Sequence, residues 1–204
     1  MEPINPMDVL LFNKNYLLFQ DLIRDMRLRL KEILLEKSYR KGSFTLTSGK
    51  TSDFYIDTKQ TSLDAEGGFL LGHIIFDMIS MSLTEAVGGM TLGADPIVAN
   101  VAMASFMRGV PIPAFIVRKE AKGHGTGNYI EGLRNMPIGC NTALIEDVVT
   151  TGGTLIKVID RVKTQGYRVG DIITVVDRRE GGKEELAKAG YTLRSIFTKE
   201  ELLS

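Results

Sequence analysis

The chain has 204 residues, 44% of them hydrophobic and 25% charged, enough for one domain with a full core. Its 25 Lys and Arg balance its 25 Asp and Glu, so no global field draws it to nucleic acid or an anionic membrane, and an anion site has to be a local concentration of positive charge. The single cysteine, Cys140, excludes an internal disulfide or a multi-thiolate zinc site and fits a structural role in a reducing compartment.

Residues 16–37 carry Leu18, Leu22, Met26, Leu30, Ile33 and Leu34 at three- and four-residue spacing, which predicts one amphipathic helix. SFTLTSGKTSDFYIDTKQ (43–60), rich in Thr, Ser and aromatics around Gly49, predicts two short strands joined by a turn. Strands and helices then alternate. Residues 66–81 read as a helix, 86–92 as a strand, and 95–109 as a helix with Asp95 as N-cap and Pro96 first inside. Strands are expected at 112–118 and 142–148, a helix at 153–166 closed by Gly166, a strand at 169–177, a helix at 182–190 and a last strand at 191–198. That alternation implies an α/β fold with a mostly parallel sheet covered on both faces. Residues 119–135, with four glycines and scattered charges, read as a long surface loop. No apolar run nears the roughly 18 residues a membrane span requires. The acidic first ten residues lack a basic stretch before an apolar core. A cytoplasmic protein is expected.

In a parallel α/β sheet, ligands bind where strands end and helices begin. ALIEDVVTTGGT (143–154) falls at such a junction. Gly152 and Gly153 allow close backbone approach, Thr150, Thr151 and Thr154 add hydroxyl donors, and the following helix N-terminus favours a phosphate. The lysine of a Walker loop is missing, so ATP hydrolysis is not suggested. Glu146 and Asp147 precede the cradle, and two carboxylates can accept from two vicinal hydroxyls. Together they read as a site for a ribose 5-phosphate. Arg118, Lys119, Lys122 and His124 place up to four positive charges in seven residues of a neutral chain. With Gly123, Gly125 and Gly127 for flexibility, that loop suits a lid over a strongly anionic leaving group. Arg178, at a strand end, has Asp177 and Glu180 beside it as partners for an ordinary ion pair, and its planar fork can pair bidentately with a carboxylate.

The hydrophobic–acid–acid–hydrophobic–TTGGT run resembles the phosphoribosyl pyrophosphate (PRPP) motif of type I phosphoribosyltransferases. RKEAKGHG (118–125) resembles the catalytic loop of the orotate phosphoribosyltransferases. SFTLTSGKTSDFYID, GADPIVANVA and VVDRREGG are similar to that family's base-approaching segment, pyrophosphate turn and D-R-x-E segment. The resemblance spans residues 40–182. It implies one phosphoribosyltransferase domain over 1–204, with a hood at about 1–60 and a PRPP-binding core at about 61–204. It implies transfer of ribose 5-phosphate from PRPP to orotate in pyrimidine biosynthesis, with magnesium (Mg2+) held mainly by substrate and water. It also implies a homodimer in which the 118–131 loop acts across the interface.

By the same resemblance the motif from Glu146 and Asp147 through Val148, Val149, Thr150, Thr151, Gly152, Gly153 and Thr154 holds PRPP. Arg118 and Lys119 bind pyrophosphate oxygens, Lys122 and His124 stabilise the departing pyrophosphate, and Thr150, Arg178, Phe54 and Tyr55 meet orotate. There are two departures. Thr47 stands where many of these enzymes carry a lysine, with Lys50 nearby as a partial replacement. Asp95 brings an acid into the pyrophosphate turn, where it reads as a helix cap or a contact to a metal-bound water. A phosphoribosyltransferase for another base, or a non-catalytic PRPP-sensing regulator, remain the alternatives.

Overall fold

The computed structural model describes residues 16–45, 51–120 and 129–204, and for residues 16–19 and 45 the backbone only. Helix α1 (Tyr16–Ile33) is amphipathic as expected and buries Ile23, Met26, Leu30 and Ile33. It does not run on as α-helix to residue 37. A π-helical turn, Leu34–Ser38, carries the chain into strand β1 (Tyr39–Thr45). β1 pairs antiparallel with β2 (Thr51–Ile56), the hairpin expected from the Thr- and aromatic-rich segment.

A single-turn helix α2 (Lys59–Ser62) leads to α3 (Ala65–Ile79). The Asp64 side chain caps α3 by accepting from the Gly67 N–H at 3.0 Å. Arg29 on α1 grips Glu66 with two hydrogen bonds of 2.8 and 2.9 Å, and Lys37 pairs with Asp64. The N-terminal layer is thus pinned to the first turn of α3.

Then come β3 (Ala86–Met90), α4 (Asp95–Met107), β4 (Ala114–Val117), β5 (Ile130–Glu131), a 3₁₀ turn (Leu133–Asn135), β6 (Asn141–Val149), α5 (Gly153–Thr164), β7 (Arg168–Asp177), α6 (Gly182–Lys188), β8 (Leu193–Thr198) and α7 (Lys199–Leu203). Six strands form one sheet in the order β5-β4-β3-β6-β7-β8, parallel except for β5. Alternating side chains feed two cores. Ala143, Ile145 and Ile173 join the cluster that includes α1, α3 and α4, whereas Leu144 and Ile172 face α5. Cys140 is a buried free thiol in the second cluster.

Two expectations need correction. Asp95 is not the N-cap of α4. Ala94 holds that position without a side-chain cap, and Asp95 is the first helical residue, its carboxylate accepting from the Thr91 hydroxyl at 2.7 Å. The loop expected over 119–135 is also shorter, because β5 adds antiparallel to β4 and the 3₁₀ turn follows. Thr47, Lys50, Lys122 and His124, with the lid glycines Gly123, Gly125 and Gly127, lie outside the described residues.

Candidate active site

The strand ends that carry the sequence motifs converge at one edge of the sheet. β6 brings Glu146 and Asp147 there, then passes through Val148 and Val149 into Thr150 and Thr151. The β6 ladder ends where Gly152 takes a left-handed backbone (φ 80°) that turns the chain directly into α5. A cavity of about 40 Å³ is lined by Glu146 and residues 148–155. The first turn of α5 supplies N–H groups without intrahelical acceptors, so the cavity has the donors and the dipole for an anion. The Gly182 N–H donates to the Thr150 carbonyl at 2.9 Å, so the start of α6 supports the loop from behind.

The acid pair differs in setting. Glu146 is only 8% exposed, and its Oε2 has no hydrogen-bond partner among the described residues. Burial first, and then the charge of adjacent Asp147, push its pKa well above the ordinary carboxylate value; Lys119 pulls weakly the other way. Asp147 is firmly held. Its Oδ2 accepts from the buried Thr58 hydroxyl at 3.0 Å and its Oδ1 from the Val148 N–H at 2.9 Å. The turn between β3 and α4 presses against it, and a Cβ on Gly93 would fall 2.5 Å from the carboxylate carbon. Lys59, paired with Asp57 at 2.6 Å, lies within electrostatic reach of Asp147 and Tyr55, and the Asp57 pairing chiefly holds its ammonium above the ordinary lysine value.

Arg118 and Lys119 follow β4 directly. Arg118 is engaged by Glu131 at 3.2 Å, and Lys119 is exposed. Arg178 lies just past the end of β7, its N–H donating to the Val149 carbonyl at 3.0 Å. The residue is 5% exposed, and its guanidinium donates to Glu180 and to the Ser52 hydroxyl at 2.8 Å each and sits 4.3 Å over the Phe54 ring. The local ion pair that the sequence allowed is therefore present, with Glu180 and not Asp177 as its partner. Phe54 is 2% exposed and underpins Arg178. Tyr55, the next strand residue, is 41% exposed and lies beside Phe44. The two aromatics expected at the base site thus face opposite sides of β2.

Thr58, Lys59 and Ser52 belong to this site, and the sequence reading passed over them. The TSDFYIDTK segment that contains all three was legible; their partners, 89 and 126 residues away for Thr58 and Ser52, were not.

Residues 96–199 match the phosphoribosyl transferase domain model. An orotate phosphoribosyltransferase of Nostoc sp. is 44% identical over 176 residues, covering 86% of this chain and 84% of the relative. One of Aquifex aeolicus is 45% identical over 160 residues, 78% of this chain and 86% of its own. The chain is also similar to the crystal structure of Mycobacterium tuberculosis orotate phosphoribosyltransferase in complex with PRPP, with a TM-score of 0.73 and 30% identity over 88% of this chain and 99% of that one. An adenine phosphoribosyltransferase from Leishmania donovani, at 15% identity and TM-score 0.62, shares the fold alone. The chain belongs to the orotate phosphoribosyltransferase family, on the type I phosphoribosyltransferase fold.

Proposed function

We propose that the protein transfers ribose 5-phosphate from PRPP to orotate, giving orotidine 5′-phosphate and pyrophosphate. The observation that carries the reading is the buried Oε2 of Glu146, without a hydrogen-bond partner among the described residues, in the lining of the anion cradle and next to a fixed Asp147. A buried acceptor without a donor is costly, and ribose hydroxyls would supply donors. The 5-phosphate sits on the Thr150–Thr154 loop. Glu146 and Asp147 accept from the vicinal hydroxyls and favour the positive charge that develops on the sugar as pyrophosphate leaves. Lys122 and His124, by the family resemblance, meet the departing pyrophosphate, with Arg118 and Lys119 at the stem of their loop. Arg178 has five N–H donors, of which Glu180 and Ser52 take two; those left address the carboxylate of the base.

Mg2+ fits as a substrate-borne ion. By the family resemblance the ion would be held mainly by substrate oxygens and water, ligands that suit a hard cation, with Glu146 and Asp147 close by. It would neutralise charge on the leaving group. The protein works in the cytoplasm as a homodimer, the 118–131 loop reaching the partner's pyrophosphate. Two substitutions test these roles by steady-state kinetics. Lys122→Ala should lower kcat far more than orotate affinity, and Arg178→Ala should raise the orotate KM in particular. Unchanged turnover in the first would remove the lid from the reaction; an equal loss for every base in the second would remove the carboxylate assignment.

A further inference from the structure

Arg161 lies on α5, two turns beyond the phosphate cradle. Its Nη1 donates to the carbonyl oxygen of Arg118 at 2.6 Å, and its Nη2 to that of Lys119 at 3.0 Å. The same guanidinium lies over the Tyr129 ring, 4.2 Å from its centroid. Arg118 and Lys119 lead into the cationic loop, and Tyr129 leads out of it, so one planar group holds both ends. The stem already closes without it, through the Arg118 N–H to the Tyr129 carbonyl at 2.8 Å and through the β4–β5 ladder. What Arg161 adds is a connection to α5, the helix whose first turn forms the anion cradle. The geometry needs arginine: two in-plane donors for two carbonyls and a flat face for the ring, which a lysine ammonium cannot supply.

We propose that Arg161 is a positioning residue that ties the two stem ends of the cationic loop, Arg118–Lys119 and Tyr129, to the phosphate-holding helix, so that the stem keeps its place when PRPP binds. The loop's catalytic role rests on the proposed function; the tie itself does not. Full-length wild type, Arg161→Met, Arg161→Lys, Tyr129→Leu and Tyr129→Phe are compared in two measurements. The first is hydrogen exchange over residues 119–129 with and without Mg2+ and PRPP. The second is steady-state kinetics with orotate. Wild type and Tyr129→Phe should show slowed exchange on adding PRPP. Both Arg161 variants should lose most of that protection, and Tyr129→Leu part of it. Their kcat should fall roughly ten- to a hundred-fold while orotate KM changes less than about twofold. Protection by PRPP in Arg161→Met equal to that in wild type, or none in wild type, overturns the proposal. If Arg161→Met fails to fold, Arg161→Lys and Tyr129→Leu decide. Absence of orotate turnover in wild type would count against the proposed function, and the exchange comparison would still decide the role of Arg161.

Discussion

Glu146→Gln separates the resting from the liganded state of the acid pair. In the resting protein burial and the charge of Asp147 keep the Glu146 carboxyl protonated well above its ordinary range. Its folded pKa is raised, so the group costs nothing below the unfolded value and destabilises the fold increasingly as pH climbs from there toward the folded pKa. Gln is nearly isosteric with the protonated acid. The variant should therefore be as stable as wild type near pH 4 and equal or more stable at pH 8. Binding reverses the preference. A carboxylate accepting from a ribose hydroxyl is charge-assisted, worth roughly 1.5–3 kcal/mol; deprotonating Glu146 offsets part of this, so the variant should bind PRPP more weakly by up to about 150-fold. At a pH where the resting Glu146 carboxyl is protonated, wild type should also release a proton on binding. Calorimetric titration with Mg2+ and PRPP in two buffers of different ionisation enthalpy measures this, and the variant subtracts the ligand's own titration. Equal proton counts for the two proteins, or a variant several kcal/mol less stable at pH 8, would refute the reasoning.

Thr58→Val removes the hydroxyl that orients Asp147 while keeping its shape. PRPP KM should rise about tenfold, Thr58→Ser should restore it, and thermal stability should hardly change. Gly93→Ala drives a methyl into the Asp147 carboxylate; a stability loss of about 1–3 kcal/mol in denaturant unfolding and a lower kcat/KM for PRPP are expected. His73 is 1% exposed, and burial, with a smaller push from Arg108, lowers its pKa to about 4. It costs nothing above the unfolded value of about 6.5 and destabilises the fold increasingly as pH falls toward 4, by about 2 kcal/mol between pH 7 and pH 5. His73→Gln should flatten that acid-side slope in chemical unfolding, and an unaltered slope would assign it to other groups.

The sheet was legible because β3, β4, β6, β7 and β8 are apolar runs separated by helical periods, a pattern local to each segment. β5 was not, since two residues carry no period and pair only because β4 leaves an edge open. The Asp95 assignment failed for a similar reason: Asp before Pro is a good cap in isolation, but the carboxylate is taken by Thr91 one turn back. Among site residues, the acids and the TTGGT loop announce themselves because their chemistry is contiguous. Thr58 and Arg161 do not, because each acts through a contact that the fold alone creates, 89 residues away for Thr58 and 43 for Arg161. Arg178 stands between these cases. Its Glu180 partner could be read two residues along the chain, whereas the Phe54 ring beneath it could not.

On the proposed function, the crevice at the ends of β6 and β7 joins a carboxylated pyrimidine to the sugar of PRPP. The direct measurement is the fall in orotate absorbance when the protein is mixed with PRPP, Mg2+ and orotate, with uracil, adenine and hypoxanthine in parallel. Orotate should be consumed with stoichiometric pyrophosphate release, and the other bases should not turn over. Turnover of a base without a carboxylate, or PRPP binding with no turnover of any base, would contradict that function.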